Sequence, residues 1–155
     1  MYNRPMIVAL GADHAGFALK DAVKRALEAR GVTTRDFGTT SAASVDYPDY
    51  AAHVAHAVAD GDADRGILVC GSGVGMAIAA NKVAGIRAAA IGDPAAAALA
   101  REHNDLNVLT LAGRQLTPDA ATAIVDAFLS TPFAGGRHEQ RIAKIRGLEP
   151  AVPSR

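Results

Sequence analysis

The chain has 155 residues, half of them hydrophobic, and its 16 basic and 16 acidic side chains cancel. That length is typical of one domain with a sizeable core, and a neutral total offers no overall field to attract nucleic acid or an anionic membrane. A lone cysteine excludes an internal disulfide, and no apolar run approaches a membrane span or a signal peptide, so we expect a soluble cytoplasmic protein with neither nucleic-acid nor membrane partners.

Short apolar strands and helices alternate along the whole sequence. Two helix starts are marked by Asp93 and Thr117, which are good N-caps and are each followed by proline at the first helical position. In chain order we expect a strand at 6–10, a helix within 15–31, a strand within 32–38, a helix within 45–61, a strand at 66–71, a helix within 75–85, a strand at 86–92, a helix at 93–104, a strand at 107–113, a helix at 117–130 and a last helix from about 136.

This alternation predicts an α/β fold, a three-layer doubly wound (Rossmann-like) five-stranded parallel sheet with helices on both faces. We expect a single domain over residues 1–155, with its core at 6–146 and a loose tail at 147–155. Ligands in such sheets bind beyond the carboxyl ends of the strands, so the loops after residues 10, 70, 91 and 111 are the candidate site.

Two glycine-rich loops follow predicted strands. The first, GADHAG at 11–16, lacks the lysine and serine or threonine of a P-loop. The second, GSGVGM at 71–76, has Met76 where a dinucleotide fingerprint needs glycine and where a cysteine phosphatase loop needs arginine. Glycine N–H groups and a helix N-terminus can still hold a phosphate or an oxyanion, but a tight turn that merely permits close packing explains the loop equally well.

Cys70 ends the strand that precedes the second glycine loop. A cysteine beside a helix N-terminus is favoured as the thiolate, which can act as a base or a nucleophile. An isolated cysteine is also commonly a small buried hydrophobic residue, so the thiol alone does not decide between the two interpretations.

Polar and ionisable side chains also fall at, or close to, predicted carboxyl ends of strands. They are Asp13 and His14 in the first loop, His103 and Asn104 after the fourth helix, and Arg114 after the fifth strand. Histidine is the usual group for proton transfer near neutral pH. Arg137 and Arg141 share one face of the last helix, which predicts either a phosphate clamp or a solvated face paired with acidic neighbours. His53 and His56 have no third ligand nearby, so we expect no metal site.

Six segments give a more specific signal than any single loop. GADHAGFALK, DYPDYA, GILVCGSGVGMAIAANK, GIRAA, REHNDLNVL and GGRHEQRIAKI follow one another in this order, from about residue 6 to residue 146. Together they resemble the ribose-5-phosphate isomerase B family, which also includes the galactose-6-phosphate isomerase subunits.

The resemblance implies a metal-independent aldose–ketose isomerase without a cofactor, most directly one that interconverts ribose 5-phosphate and ribulose 5-phosphate through a cis-enediolate after ring opening. By the family's motifs Cys70 is the base and His103 opens the furanose ring. Some members place an acidic base at the position of Met76 and a serine at that of Cys70, so this sequence is similar to the cysteine type. Allose, galactose and tetrose phosphates are alternative substrates.

The resemblance also implies which residues bind substrate. The backbone of the second loop holds the enediolate oxygens, and the arginines hold the phosphate. The implied substrate-binding residues are Asp13, His14, Tyr47, Gly71, Ser72, Gly73, Val74, Gly75, Asn104, Arg114, Arg137 and Arg141. The family places the site between two subunits, so we expect a homodimer or a tetramer in which the C-terminal helix contacts the partner and supplies some of these arginines.

Two other classes of protein also account for part of the pattern. A non-catalytic sugar-phosphate or nucleotide-binding module would explain the glycine loops and the arginines, but it gives no role to Cys70 and His103. A redox-sensing flavodoxin-like protein would use Cys70, but the chain has no resolving cysteine and no tryptophan to stack on a flavin.

Overall fold

The computed structural model describes residues 4–151, where five strands alternate with five helices and a sixth helix follows the fifth. The strands are β1 (Ile7–Ala12), β2 (Thr33–Asp36), β3 (Arg65–Cys70), β4 (Ala88–Ala90) and β5 (Val108–Ala112). The helices are α1 (Phe17–Ala29), α2 (Tyr47–Ala59), α3 (Val74–Ala80), α4 (Pro94–Asn104), α5 (Pro118–Ser130) and α6 (Arg137–Arg146).

The strands form one sheet in the order β2-β1-β3-β5-β4, and every pairing is parallel. The register sets Cys70 opposite Ala112 and Val69 opposite Ala12, so β1, β3 and β5 end at the same edge. The predicted five-stranded parallel sheet is therefore confirmed. β4 is the element that differs most, because only three residues of the expected strand at 86–92 pair with β5.

Helices cover both faces of the sheet, as a continuous apolar pattern in parallel strands requires. Helices α1, α4 and α5 pack on one face, around buried side chains such as Leu10, Val69 and Phe128. Helices α2 and α3 pack on the other, with Val54, Leu68 and Cys70 in that core. Because side chains alternate along β3, Cys70 faces the α2–α3 layer.

The predicted N-caps of two helices are confirmed. The Asp93 carboxylate accepts a hydrogen bond from the Ala96 N–H at 2.8 Å, and the Thr117 hydroxyl accepts one from the Ala120 N–H at 3.2 Å. These caps and the prolines behind them fix where α4 and α5 begin, and hence where the loops after β4 and β5 end.

β4 lies at the edge of the sheet, and a side chain occupies the place of a further strand there. The amide of Asn81 donates to the Ala88 carbonyl at 2.9 Å and accepts from the Ala88 N–H at 2.8 Å. Asn81 follows the last residue of α3, which ends before the expected end just ahead of Gly85. The short helix therefore places this amide beside the edge strand.

The expected tail at 147–155 is described only in part. The Glu149 carboxylate accepts a hydrogen bond from the Gly85 N–H at 2.7 Å, which ties this segment to the turn before β4. Residues 152–155 lie outside the described range. Between residues 4 and 151, none of the helices has the length and apolar character that crossing a bilayer requires.

Candidate active site

A cleft of about 590 Å³ opens at the edge where β1, β3 and β5 end. Three of the four loops expected to form the site contribute to it, those after residues 10, 70 and 111. Within residues 4–151 its lining comes from Asp13, Tyr47, Cys70, Gly71, Ser72, Val74, Gly75, Ile78, Arg114 and Gln115. The loop after residue 91 contributes none of these.

The second glycine loop folds back over the sulfur of Cys70. The backbone N–H of Gly73 donates to Sγ at 3.2 Å, and Gly73 adopts a left-handed conformation, φ +80°, that glycine tolerates without strain. The Thr110 hydroxyl on β5 donates to the Gly73 carbonyl at 2.6 Å and so fixes the loop to the neighbouring strand. Cys70 is only 5% exposed, yet it lines the cleft. In this arrangement the thiolate form of Cys70 can accept a proton beside a fixed amide donor.

Two glycines of the same loop let large side chains approach the cleft. A Cβ on Gly75 would lie 2.7 Å from Cζ of Tyr47, and one on Gly71 would lie 2.9 Å from Nη1 of Arg114. The phenol ring and the guanidinium thus rest directly on the glycine backbone. The absence of side chains at Gly71 and Gly75 is therefore needed for the shape of the cleft.

The loop after β5 is bonded to the loop after β3. The Gly113 N–H donates to the Cys70 carbonyl at 2.7 Å, and the Arg114 N–H donates to the Gly71 carbonyl at 3.2 Å. The backbone beside Cys70 is therefore held from the neighbouring strand, which places the Arg114 guanidinium at the same cleft.

The first loop is fixed by its own polar groups. Asp13 is 6% exposed, and its carboxylate accepts from the Gly16 N–H at 3.0 Å. His14 Nδ1 accepts from the Val45 N–H at 3.2 Å. A neutral imidazole that accepts at Nδ1 carries its proton on Nε2, so this contact selects the tautomer of His14.

A buried lysine holds the segment that reaches His14. Lys20 is 1% exposed and donates to the Asp36 carboxylate at 2.9 Å and to the Thr39 carbonyl at 2.7 Å. Burial alone would raise the pKa of Asp36, but hydrogen bonds from Gly38 and Lys20 outweigh it and lower that pKa. The segment after β2 is therefore anchored on an ion pair.

His103 and Asn104 lie outside the cleft, and the expectation that they stand at or near the carboxyl ends of strands is wrong. They end α4, which runs back across the sheet and leads into β5 at Val108. Cys70 is opposite Ala112, four residues further along β5, which is about 13 Å of strand. Within one chain, His103 therefore lies toward the amino ends of the strands, whereas Cys70 lies at their carboxyl ends.

Four side chains toward the amino ends of the strands form what we name the basic cluster: His103, Arg137, His138 and Arg141. The imidazoles of His103 and His138 stack, with centroids 4.5 Å apart and planes at 17°. Burial, together with the neighbouring His103, Arg137 and Arg141, lowers the pKa of His138. The arginines of the pair expected to hold phosphate are both exposed on α6.

Three residues of the cleft and the basic cluster are not among those predicted from the sequence. Ile78 and Gln115 line the cleft, and His138 stacks on His103. Ile78 stands one helical turn after Val74, a spacing that would have placed it on the same face. His138 lies between the two arginines that the sequence did single out. Among the described residues, no group of three or more His, Cys, Asp or Glu side chains is placed to hold a metal ion.

Comparison with known proteins identifies the family, which the geometry alone leaves open. The family model described as Ribose/Galactose Isomerase matches residues 8–145. Ribose-5-phosphate isomerase B of Escherichia coli (strain K12) is 50% identical over 142 residues, which cover 92% of this chain and 95% of that protein.

Solved structures agree with this result. A ribose 5-phosphate isomerase from Thermotoga maritima is similar with a TM-score of 0.91 and 51% identity, over 94% of this chain and 100% of that one. Ribose-5-phosphate isomerase B from Mycoplasma genitalium, solved with bound ribulose-5-phosphate, gives 0.87 and 42%, over 92% and 95%.

The fold, the cleft and these comparisons define the class of protein, an aldose–ketose isomerase of phosphorylated sugars. The chain belongs to the ribose/galactose isomerase family.

Proposed function

We propose that the protein interconverts ribose 5-phosphate and ribulose 5-phosphate, without a metal ion, through a cis-enediolate formed after ring opening. The observation that carries the proposal is the sulfur of Cys70 at the cleft, 3.2 Å from the Gly73 N–H and at the start of a glycine-rich loop. The bound ribulose-5-phosphate of the Mycoplasma genitalium relative supports the choice of sugar.

In the proposed reaction the Cys70 thiolate removes the proton from C2 of the open-chain aldose. The C1 oxygen takes up the negative charge, and backbone N–H groups of 71–75 stabilise it. A donor of this kind is worth roughly 3–4 kcal/mol in enzymes from which one was removed. The proton returns to C1, and a proton moves from the C2 hydroxyl to the C1 oxygen, which yields the ketose.

The neighbourhood of Cys70 supports this assignment of the base. Met76, where some relatives have an acidic base, is fully buried in the core and has no group that could accept a proton. Asp13 accepts a hydrogen bond from its own loop, which suits it to binding sugar hydroxyls rather than to deprotonating carbon. Tyr47 and Ser72 line the same cleft.

The basic cluster completes the site of a second copy of the chain. His103 there acts at the ring oxygen, Asn104 contacts the sugar, and Arg137 and Arg141 hold the phosphate together with Arg114. This arrangement is supported by the distance between the cleft and the cluster within one chain, and by exposed apolar side chains on α3 at the cleft. Val74 is 52% exposed and Ile78 is 60% exposed.

A turnover panel tests the reaction. Purified protein, treated with EDTA, is offered aldose phosphates of four to six carbons, and ketose formation and uptake of solvent deuterium are measured. Ribose 5-phosphate is expected to give the highest kcat/KM, with deuterium in the product. Binding without exchange would leave only the sugar-phosphate binding module, and activity that disappears with EDTA and returns with a metal ion would contradict metal independence.

A complementation experiment tests the shared site. Cys70→Ala and His103→Ala variants are each expected to retain only a small, measurable residual activity, but a mixed dimer contains one site with both native residues. Co-refolding equal amounts gives half mixed dimers by random pairing, and so about a quarter of wild-type activity. Failure to recover any activity, with mixed dimers present by mass spectrometry, would place Cys70 and His103 in sites that do not meet.

A further inference from the structure

His138 carries a stack that no part of the proposed reaction uses. It lies in the first turn of α6, is 9% exposed, and covers one face of the His103 ring at a centroid distance of 4.5 Å. His103 itself is exposed at the end of α4. The interplanar angle of 17° leaves the ring edge of His103, which carries both nitrogens, uncovered by His138.

Backbone contacts fix this stack independently of the two rings. The Ala134 N–H donates to the carbonyl of Glu102, the residue before His103, at 3.1 Å. The His138 N–H donates to the Gly135 carbonyl at 3.1 Å, and Ile142, one turn further along α6, is 5% exposed. The segment before α6 and the helix itself therefore hold His138 in place against α4.

We propose that His138 is a positioning residue, whose buried ring fixes the plane of His103 so that a ring nitrogen of His103 meets the furanose oxygen of the substrate. The proposal rests on the proposed role of His103 in ring opening. His138 acts only through His103 and touches no reacting atom.

The charge around the stack suits this role. Burial, with His103, Arg137 and Arg141 close by, lowers the pKa of His138, and Glu102 opposes the shift only weakly. The lowered pKa favours the uncharged imidazole at His138. A flat, neutral ring is the property that the position requires, which an aromatic hydrocarbon shares and an aliphatic side chain lacks.

The test compares His138→Phe, which keeps a flat ring, with His138→Leu, which does not; His56→Leu, at an exposed histidine on α2, is the matched control. For ribose 5-phosphate, His138→Leu is expected to lower kcat about tenfold, as misplaced catalytic groups do, with KM nearly unchanged because Arg137 and Arg141 remain. His138→Phe is expected to stay close to wild type. If His138→Leu does not fold, His138→Gln takes its place.

A double-mutant cycle distinguishes positioning from a general structural role. In the His103→Ala background, His138→Leu is expected to cost nothing further, because there is no imidazole left to orient. Additive losses, equal losses in the Phe and Leu variants, or unchanged turnover in His138→Leu would each overturn the proposal.

A spectroscopic measurement separates this proposal from the choice of substrate. In histidine side-chain NMR spectra, the ring protons of His103 are expected to show an upfield ring-current displacement in wild type and in His138→Phe that is absent in His138→Leu. Absence of the displacement from wild type would overturn the stack itself. If the displacement is present but no sugar phosphate is turned over, the proposed reaction fails while the stack remains.

Discussion

The backbone N–H of Gly73 donates to the sulfur of Cys70, three residues before it, at 3.2 Å. The left-handed φ of Gly73 turns the chain back so that this donor and the sulfur meet at the cleft. In the reaction proposed above, the proton acceptor and the amide donors that stabilise the resulting charge therefore come from one continuous segment, and strand β5 holds that segment through Thr110.

Replacing Cys70 by alanine should abolish the proton transfer and leave the fold intact. Without the sulfur, kcat for ribose 5-phosphate is expected to fall roughly 10³-fold or more, as for loss of a general base. The side chain is small, so unfolding should become easier by only about 1 kcal/mol. Kinetics and urea denaturation measure the two effects, and near-normal turnover would show that another group is the base.

Gly75→Ala should disturb the cleft through Tyr47. The added methyl would lie 2.7 Å from Cζ of the phenol ring, which must move away. We expect kcat/KM to fall about tenfold, the effect of about 1.4 kcal/mol, with little change in stability because Tyr47 is 40% exposed and free to shift. Gly92→Ala, where a methyl meets open space, is the control.

In a Tyr47→Ala background the same change should add little. If Gly75→Ala remains equally harmful there, the clash with the phenol ring is not its cause.

Two substitutions at His14 should separate its two nitrogens. Glutamine places an amide N–H near the position of Nε2, and asparagine places a carbonyl oxygen near Nδ1, which accepts from Val45. If His14 donates to substrate through Nε2, His14→Gln should keep several-fold more kcat/KM than His14→Asn. Steady-state kinetics with both variants give the order, and the reverse order would assign the functional contact to Nδ1.

Arg141→Ala should weaken binding more than turnover. Loss of one guanidinium contact to phosphate is expected to raise KM for ribose 5-phosphate about tenfold, with kcat changed by less than about threefold. Lys144→Ala, about one helical turn further along the exposed part of α6, is the matched control and should leave KM unchanged. An Arg141 variant with the wild-type KM would place this arginine outside the site.

Asp36 should make stability depend on pH in the acid range. Its folded-state pKa is lowered. As the pH falls, Asp36 in the unfolded chain, with an ordinary pKa of about 3.9, therefore becomes protonated before Asp36 in the folded chain. The ion-pair stabilisation is therefore complete above about pH 5 and is lost as the pH falls through the folded-state value.

The Asp36→Asn variant provides the measurement. Urea denaturation should show it to be less stable than wild type by about 2 kcal/mol at pH 7, because Lys20 keeps its other partner but loses the carboxylate. The difference between the two curves should shrink steadily as the pH falls below about 3.9. A constant difference from pH 7 to pH 2 would exclude Asp36 as the group responsible.

The sheet and the residues next to Cys70 were predictable because their signals are local. An apolar run that ends in a glycine loop predicts both the strand and the end of the sheet at which the loop lies. The caps at Asp93 and Thr117 mark helix starts directly. β4 was predicted too long because the apolar pattern does not show how far a strand pairs with its neighbour, and the register with β5 covers only Ala88–Ala90.

We expected His103 near the carboxyl ends of the strands, although the alternation of helices and strands already contains its position. His103 lies in the last turn of a helix that precedes β5, so it stands toward the amino end of that strand, away from Cys70. The stack with His138 depends on how α6 packs on α4, which is a tertiary contact between residues 35 apart in sequence. Residue spacing carries no record of such a contact.

The side-chain amide of Asn81 bears on how copies of this chain can associate. An exposed strand edge is a template on which another chain can add a strand, and long unprotected edges lead to aggregation. At Ala88 both outward backbone groups are already bonded to Asn81, and β4 is only three residues long. Growth of a continuous sheet from one copy into the next is therefore disfavoured at β4, and self-assembly there must rely on side-chain packing between helices and loops.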